Sequence, residues 1–99
     1  MTLTKTTDGT TLTIQIEGRL DTTTAPQLEA ELSQSIDGMQ KVYLDFSKLE
    51  YISSAGLRVL LSTQKKMKKQ HGELIIRNAN DTVKEVFEIT GFVDILTIE

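Results

Sequence analysis

Two short stretches of this chain hold the side chains best suited to chemistry. Ser53 and Ser54, followed by Ala55-Gly56-Leu57, place two hydroxyls at the start of an apolar-periodic segment. Asp21, Thr22 and Thr23 follow Gly18-Arg19-Leu20. If Ala55 is the first helical residue, Ser54 is the N-cap and its hydroxyl accepts from the amide of Gly56 or Leu57. The same position also suits a phosphate, which would meet free backbone amides and the positive end of the helix dipole. Phosphorylation would add nearly two negative charges at an exposed loop and so change binding without refolding. Asp21 either closes an Asx turn that ends a strand, or acts as an acidic neighbour that positions the Ser54 hydroxyl or contacts a kinase. Gly56 permits the close approach of a partner backbone, at some cost in helix stability.

Other chemistries lack their residues. Asp45 ends a short apolar run, the place of the phosphoacceptor in receiver domains, but only Asp21 precedes the first helix where such a site needs several carboxylates. The single histidine, His71, lies at the polar end of a helix, far in sequence from both loops. No Ser-His-acid set, no metal-ligand spacing and no glycine-rich phosphate loop can be assembled. The expectation is a binding protein that catalyses nothing and takes no cofactor or metal.

The elements that must position these loops follow from composition and periodicity. In 99 residues, 38% hydrophobic and 25% charged, there is room for one core and one domain, expected over residues 1–99. The absence of cysteine excludes disulfides and fits a reducing compartment. No run approaches the ~20 apolar residues of a membrane span, and Met1 to Thr7 lacks the apolar core of a signal peptide. A finished, soluble, cytoplasmic chain without membrane insertion is therefore expected. A net charge of -3 counts against nucleic acid as a partner. Lys65, Lys66, Lys68 and Lys69 read as a solvated helix face.

Asp8-Gly9 predicts a hairpin between an edge strand over Leu3–Thr7 and a strand in which Leu12, Ile14 and Ile16 alternate with polar residues. Gly18 to Thr23 breaks that pattern. Thr24 then opens a helix, with Gln27 completing a capping box and Pro26 in the first turn. Ala25, Leu28, Leu32 and Ile36 form its apolar stripe, and Gly38 stops it. Val42–Phe46 predicts a buried strand, and Ser47 to Ile52 a loop. The second helix buries Leu57, Leu60, Leu61 and Met67, flanked by Val59, and ends at Gly72. Leu74-Ile75-Ile76 is a strand. A third helix from Asn80 or Asp81 turns Val83, Val86 and Phe87 inward and stops at Gly91; Ile95–Ile98 is the last strand. The order β-β-α-β-α-β-α-β predicts a single α/β domain: a mixed, mostly parallel sheet with an N-terminal hairpin and three helices.

The run from Asp45 to Leu61, with Ser53-Ser54-Ala55-Gly56-Leu57 at its centre, resembles the central segment of STAS domains. Gly18-Arg19-Leu20-Asp21 with Thr24-Ala25 resembles the family's second hallmark, and Gly72-Glu73-Leu74 and Thr90-Gly91-Phe92 also fit. Among STAS domains the resemblance points to anti-sigma factor antagonists. It implies a partner-switching role: the unphosphorylated domain binds an anti-sigma factor that is also a serine kinase, which frees a sigma factor. Phosphorylation of the serine ends the interaction, and a serine phosphatase restores it. The implied phosphoacceptor is Ser54, and Asp21 falls on the acidic residue beside it. Ser53 stands where many switching members have aspartate, which makes it a second candidate acceptor, and Ala55 stands where many have Ser or Thr. The implied partner-binding residues are Asp21, Thr22, Thr23, Ser53, Ser54, Ala55, Gly56 and Arg58. Relatives often add a C-terminal helix, so the end of this chain is expected to leave an apolar face partly bare or covered by a partner. Two alternatives stay open here: a non-switching STAS subunit of a membrane-associated complex such as a lipid-transport ATPase, and a small-molecule binding domain.

Overall fold

The computed structural model describes residues 1–99, and its five strands form one sheet in the order β1-β2-β3-β4-β5. The Thr-rich Thr2–Asp8 (β1) pairs antiparallel with Thr11–Leu20 (β2) across the Asp8-Gly9 turn. Every later strand joins in parallel: Lys41–Ile52 (β3), Glu73–Arg77 (β4) and Thr97–Ile98 (β5). Between them lie the helices Ala25–Ser35 (α1), Ser54–Lys69 (α2) and Asp81–Thr90 (α3). The mixed sheet and the three helices are those the periodicity predicts.

Alternation decides which face of the sheet is dry. Leu12, Ile14 and Ile16 of β2, Val42, Leu44 and Phe46 of β3, and Leu74 and Ile76 of β4 share one face. They merge with Leu28, Leu32, Leu57, Leu60, Val83 and Phe87 of the helices in a single cluster of 23 buried residues. Phe46 and Phe87 stack with ring centroids 6.4 Å apart, fastening α3 to β3. On the opposite face one row reads Thr6, Thr13, Tyr43, Ile75 and Thr97 across all five strands. There the Arg77 guanidinium lies 3.8 Å from the Tyr43 ring centroid and 2.8 Å from a Glu99 carboxylate oxygen.

Several boundaries differ from the sequence expectation. β2 does not stop at Gly18 but runs to Leu20, and the predicted loop from Ser47 to Ile52 is the second half of β3. The two extensions pair with each other, Gly18 opposite Leu49 and Leu20 opposite Ile52. Leu20 keeps the alternation of β2, whereas in β3 the register shifts at Gln15/Glu17 and Gly18/Arg19 accompany a change of phase that brings Leu49 and Ile52 to the core. Mutual pairing supplies what the local pattern lacks.

At the helix ends, Thr24 flanks α1 but makes no capping bond, and the capping box with Gln27 does not form. The Thr24 hydroxyl instead donates to Arg19 O at 2.7 Å. Gly38 lies in the turn beyond Ile36, which ends α1 in right-handed conformation. In α2 Leu61 is only half-buried, while Thr63 and Gln64 are buried. The residue that leaves α2 in left-handed conformation is His71, at φ 60°, not Gly72. α3 follows expectation: Asn80 Oδ1 accepts from the Val83 amide at 2.8 Å, and Gly91 closes the helix at φ 78°, where a β-carbon is disfavoured. The last strand is shorter than Ile95–Ile98. A 3-10 turn over Phe92–Asp94 intervenes, and only Thr97 and Ile98 reach register with β4.

Candidate functional site

The two loops singled out from the sequence come from neighbouring strands and lie side by side. β2 ends at Leu20 and β3 at Ile52, directly opposite each other. The Ser53 amide then donates to Leu20 O at 2.9 Å, so the chain leading into α2 is tied to the chain leading into α1. Both helix starts therefore share the carboxyl edge of the parallel sheet, where α/β folds collect their binding sites.

The loop before α1 is held from within. Asp21 Oδ1 accepts hydrogen bonds from the Thr23 hydroxyl at 2.7 Å, the Thr23 amide at 3.0 Å and the Thr24 amide at 3.2 Å, and the Thr24 hydroxyl, whose proton goes chiefly to Arg19 O, lies 3.2 Å from it. The Asp21 amide donates to Thr24 Oγ1 at 2.9 Å. The bond from the Thr23 hydroxyl, joined by those from Thr24 and the Thr23 amide, outweighs desolvation and holds the Asp21 carboxyl below the ordinary carboxylate range. Arg19 stacks over Tyr51, 4.7 Å from the ring centroid, with its Nε 3.9 Å from Asp21 Oδ2. Asp21 makes no hydrogen bond to Ser53 or Ser54; it is an Asx-turn residue that shapes the surface beside them.

The two serines differ by one residue and by environment. α2 begins at Ser54, not Ala55, so Ser53 is the N-cap and Ser54 the first helical residue. The Leu57 amide donates to Ser53 O at 3.0 Å, closing the first turn. The Ser53 hydroxyl is buried and has no hydrogen-bond partner. Ser54 is exposed. With no side-chain cap and no acid in the first turn of α2, its leading amides and positive dipole end stay uncompensated beside Ser54.

Gly56 is buried, and the close approach it permits is to its own sheet. A β-carbon there would lie 2.7 Å from Leu20 Cγ and 2.8 Å from Ile52 Cγ1. Beyond it a groove of about 380 Å³ opens between α1 and α2. Thr22, Ala25 and Pro26 line one wall, and Ala55, Arg58 and Val59 the other. Glu29 and Ser62 complete it. Ala25, Pro26, Glu29, Val59 and Ser62 were not among the site residues expected from sequence. Each looks like an ordinary helix residue until the two helices, far apart in the chain, are packed together.

The remaining candidates lie elsewhere. Asp45 lies inside β3 rather than at its end, and accepts from the Ser47 amide at 2.9 Å and Asn78 Nδ2 at 3.1 Å. Desolvation pushes its pKa up, but these hydrogen bonds prevail and hold it low. His71 is exposed at the far end of α2. No three His, Cys, Asp or Glu side chains converge as a metal site, and no helix is long and apolar enough to cross a membrane.

This arrangement has a counterpart among known proteins, for the STAS domain model matches residues 2–99. The chain belongs to the STAS domain family. Within it, a Bordetella bronchiseptica protein named as an anti-sigma factor antagonist, BtrV, is 44% identical over 84 residues, 84% of this chain and 72% of that one. The anti-sigma-B factor antagonist of Staphylococcus aureus is 31% identical over 86% of this STAS chain and 80% of its own. In fold, the chain is similar to the anti-sigma factor antagonist SpoIIAA in its unphosphorylated form, with a TM-score of 0.78 at 20% identity over 99% of this chain and 87% of that one. The phosphorylated form of the Bacillus cell fate determinant SpoIIAA superposes with a TM-score of 0.77 at 21% identity, covering 99% and 91%.

Proposed function

We propose that this STAS domain is an anti-sigma factor antagonist whose binding is switched off by phosphorylation of Ser54. The observation that carries the reading is the contrast at the start of α2: an exposed Ser54 beside a half-buried Ser53 whose hydroxyl is buried. A kinase needs its acceptor oxygen in solvent, so Ser54 rather than Ser53 is the acceptor. In the unphosphorylated state the edge formed by Thr22, Thr23, Ser54, Ala55 and Arg58 docks on an anti-sigma factor with serine kinase activity, and a sigma factor is released. Asp21 and Gly56 contribute by holding that edge in shape. A phosphate on Ser54 places nearly two negative charges within this surface and breaks the complex. A serine phosphatase restores it, and the cycle runs in the bacterial cytoplasm. The domain itself performs no chemistry in this reading.

Binding to the cognate kinase, followed by calorimetry, tests it. Ser54→Asp should abolish binding while its circular dichroism and unfolding midpoint stay close to wild type, and Ser54→Ala should bind but resist phosphorylation. Tight binding by Ser54→Asp, or a phosphate mapped to Ser53, would sink the assignment.

A further inference from the structure

We infer that Arg58 is the internal counter-ion of a phosphate on Ser54 and draws that phosphate over the mouth of the α1–α2 groove. The inference rests on Ser54 as the acceptor and goes beyond it by naming the residue that receives the new charge. Ser54 and Arg58 stand four residues apart in α2, both exposed. That spacing brings helical side chains to about 5–6 Å between β-carbons, and an anion placed N-terminal to the cation is the favourable order. The guanidinium presents a planar fork that matches two phosphate oxygens at once.

Arg58 is also free to respond. The ion pairs of the chain are Lys5–Glu31, Arg19–Asp21 and Arg77–Glu99, and Arg58 is in none of them. Glu29, which shares the groove, is likewise unpaired. The other nearby arginine, Arg19, is held against Tyr51 and Asp21. The next cation along α2 is Lys65, eleven residues after Ser54 and so roughly 16 Å along the helix axis. Arg58 lines the groove together with Ala55 and Val59. A phosphate held by it lies across the groove entrance, so the modification obstructs the groove as well as reversing the charge at its rim. Arg58 is a positioning residue for the phosphate.

The test uses full-length protein carrying phosphoserine installed at position 54 during translation, so no kinase is needed. The phosphate's second pKa is read by phosphorus NMR in wild type, Arg58→Ala and Arg58→Lys. In wild type it should lie about 0.15 to 0.4 unit below that in Arg58→Ala. Arg58→Lys should fall between them, because a point charge keeps part of the attraction. The Arg58 Nε–H resonance should move as the phosphate titrates. Equal values in wild type and Arg58→Ala, with a stationary Arg58 resonance, would overturn the inference. Kinase binding by the same phosphorylated proteins is measured separately: undiminished binding would remove the switch while leaving the Arg58 contact to stand or fall on the NMR result.

Discussion

A β-carbon placed on Gly56 would lie 2.7 Å from Cγ of Leu20, so the first turn of α2 rests directly on the end of β2. Only a residue without a side chain lets the helix start sit so low. That contact and the Ser53–Leu20 backbone bond together set the height of Ser54 above the sheet edge.

Gly56→Ala should therefore destabilise the domain even though alanine is the better helix former. Overpacking costs about 1–3 kcal/mol and the helix gains back about 1, leaving a net loss of up to about 2 kcal/mol in urea unfolding. In a Leu20→Ala background the same substitution should cost less, with a coupling of about 0.5 kcal/mol or more. Strict additivity would show that the helix start yields rather than presses on Leu20.

Ser53→Ala should hold or raise stability, by up to about 1 kcal/mol, because the hydroxyl it removes is buried without a partner. The measurement is the unfolding free energy beside that of Ser54→Ala. A loss of about 1 kcal/mol in Ser53→Ala would mean instead that the hydroxyl caps α2 in solution.

Acid should loosen the loop before α1. The Asp21 carboxyl is held below its ordinary value chiefly by the Thr23 hydroxyl. A depressed folded-state value means that its contribution is fully present above the unfolded value of about 3.9 and is lost as pH falls through the folded value. Asp21→Asn should thus melt lower than wild type near neutral pH and lose less on acidification below about pH 4. Asp45, also held low, keeps some acid sensitivity in both proteins. Parallel melting-temperature profiles for the two would contradict the turn role.

Asn80→Ala removes two contacts at once: the cap on the Val83 amide and a 2.9 Å bond from Nδ2 to Leu49 O in the second half of β3. A loss of about 1–2 kcal/mol is expected. Hydrogen exchange should quicken at Val83 and in the latter part of β3 while β1 stays protected.

Of these features, the Asn80 cap and the Gly91 stop could be read from the residues alone, because a capping side chain and a left-handed glycine act within a turn of the chain. The same holds for Leu12, Ile14 and Ile16 on one face of β2 and for Ala25, Leu28, Leu32 and Ile36 on one face of the first helical segment. Periods of two and 3.6 are local properties, so element order and most of the core are written in sequence. The Asp21 and Ser53–Ser54 loops could be singled out as candidates too, because serine, aspartate and glycine at predicted strand ends narrow the options.

What tertiary structure alone decided are the quantities that depend on a distant neighbour. Ser47 to Ile52 carries no clean alternation and becomes strand only because the end of β2 is there to pair with it. Whether Ser53 or Ser54 faces solvent turns on a single residue of helical phase. That phase is set by how Gly56 seats on Leu20 and Ile52, which no pattern within α2 specifies. The groove exists only where Pro26 and Glu29 of α1 meet Arg58 and Val59 of α2. Sequence determined which hydroxyls were available for chemistry; packing of Gly56 against Ile52 and against Leu20, thirty-six positions away, determined which one is exposed.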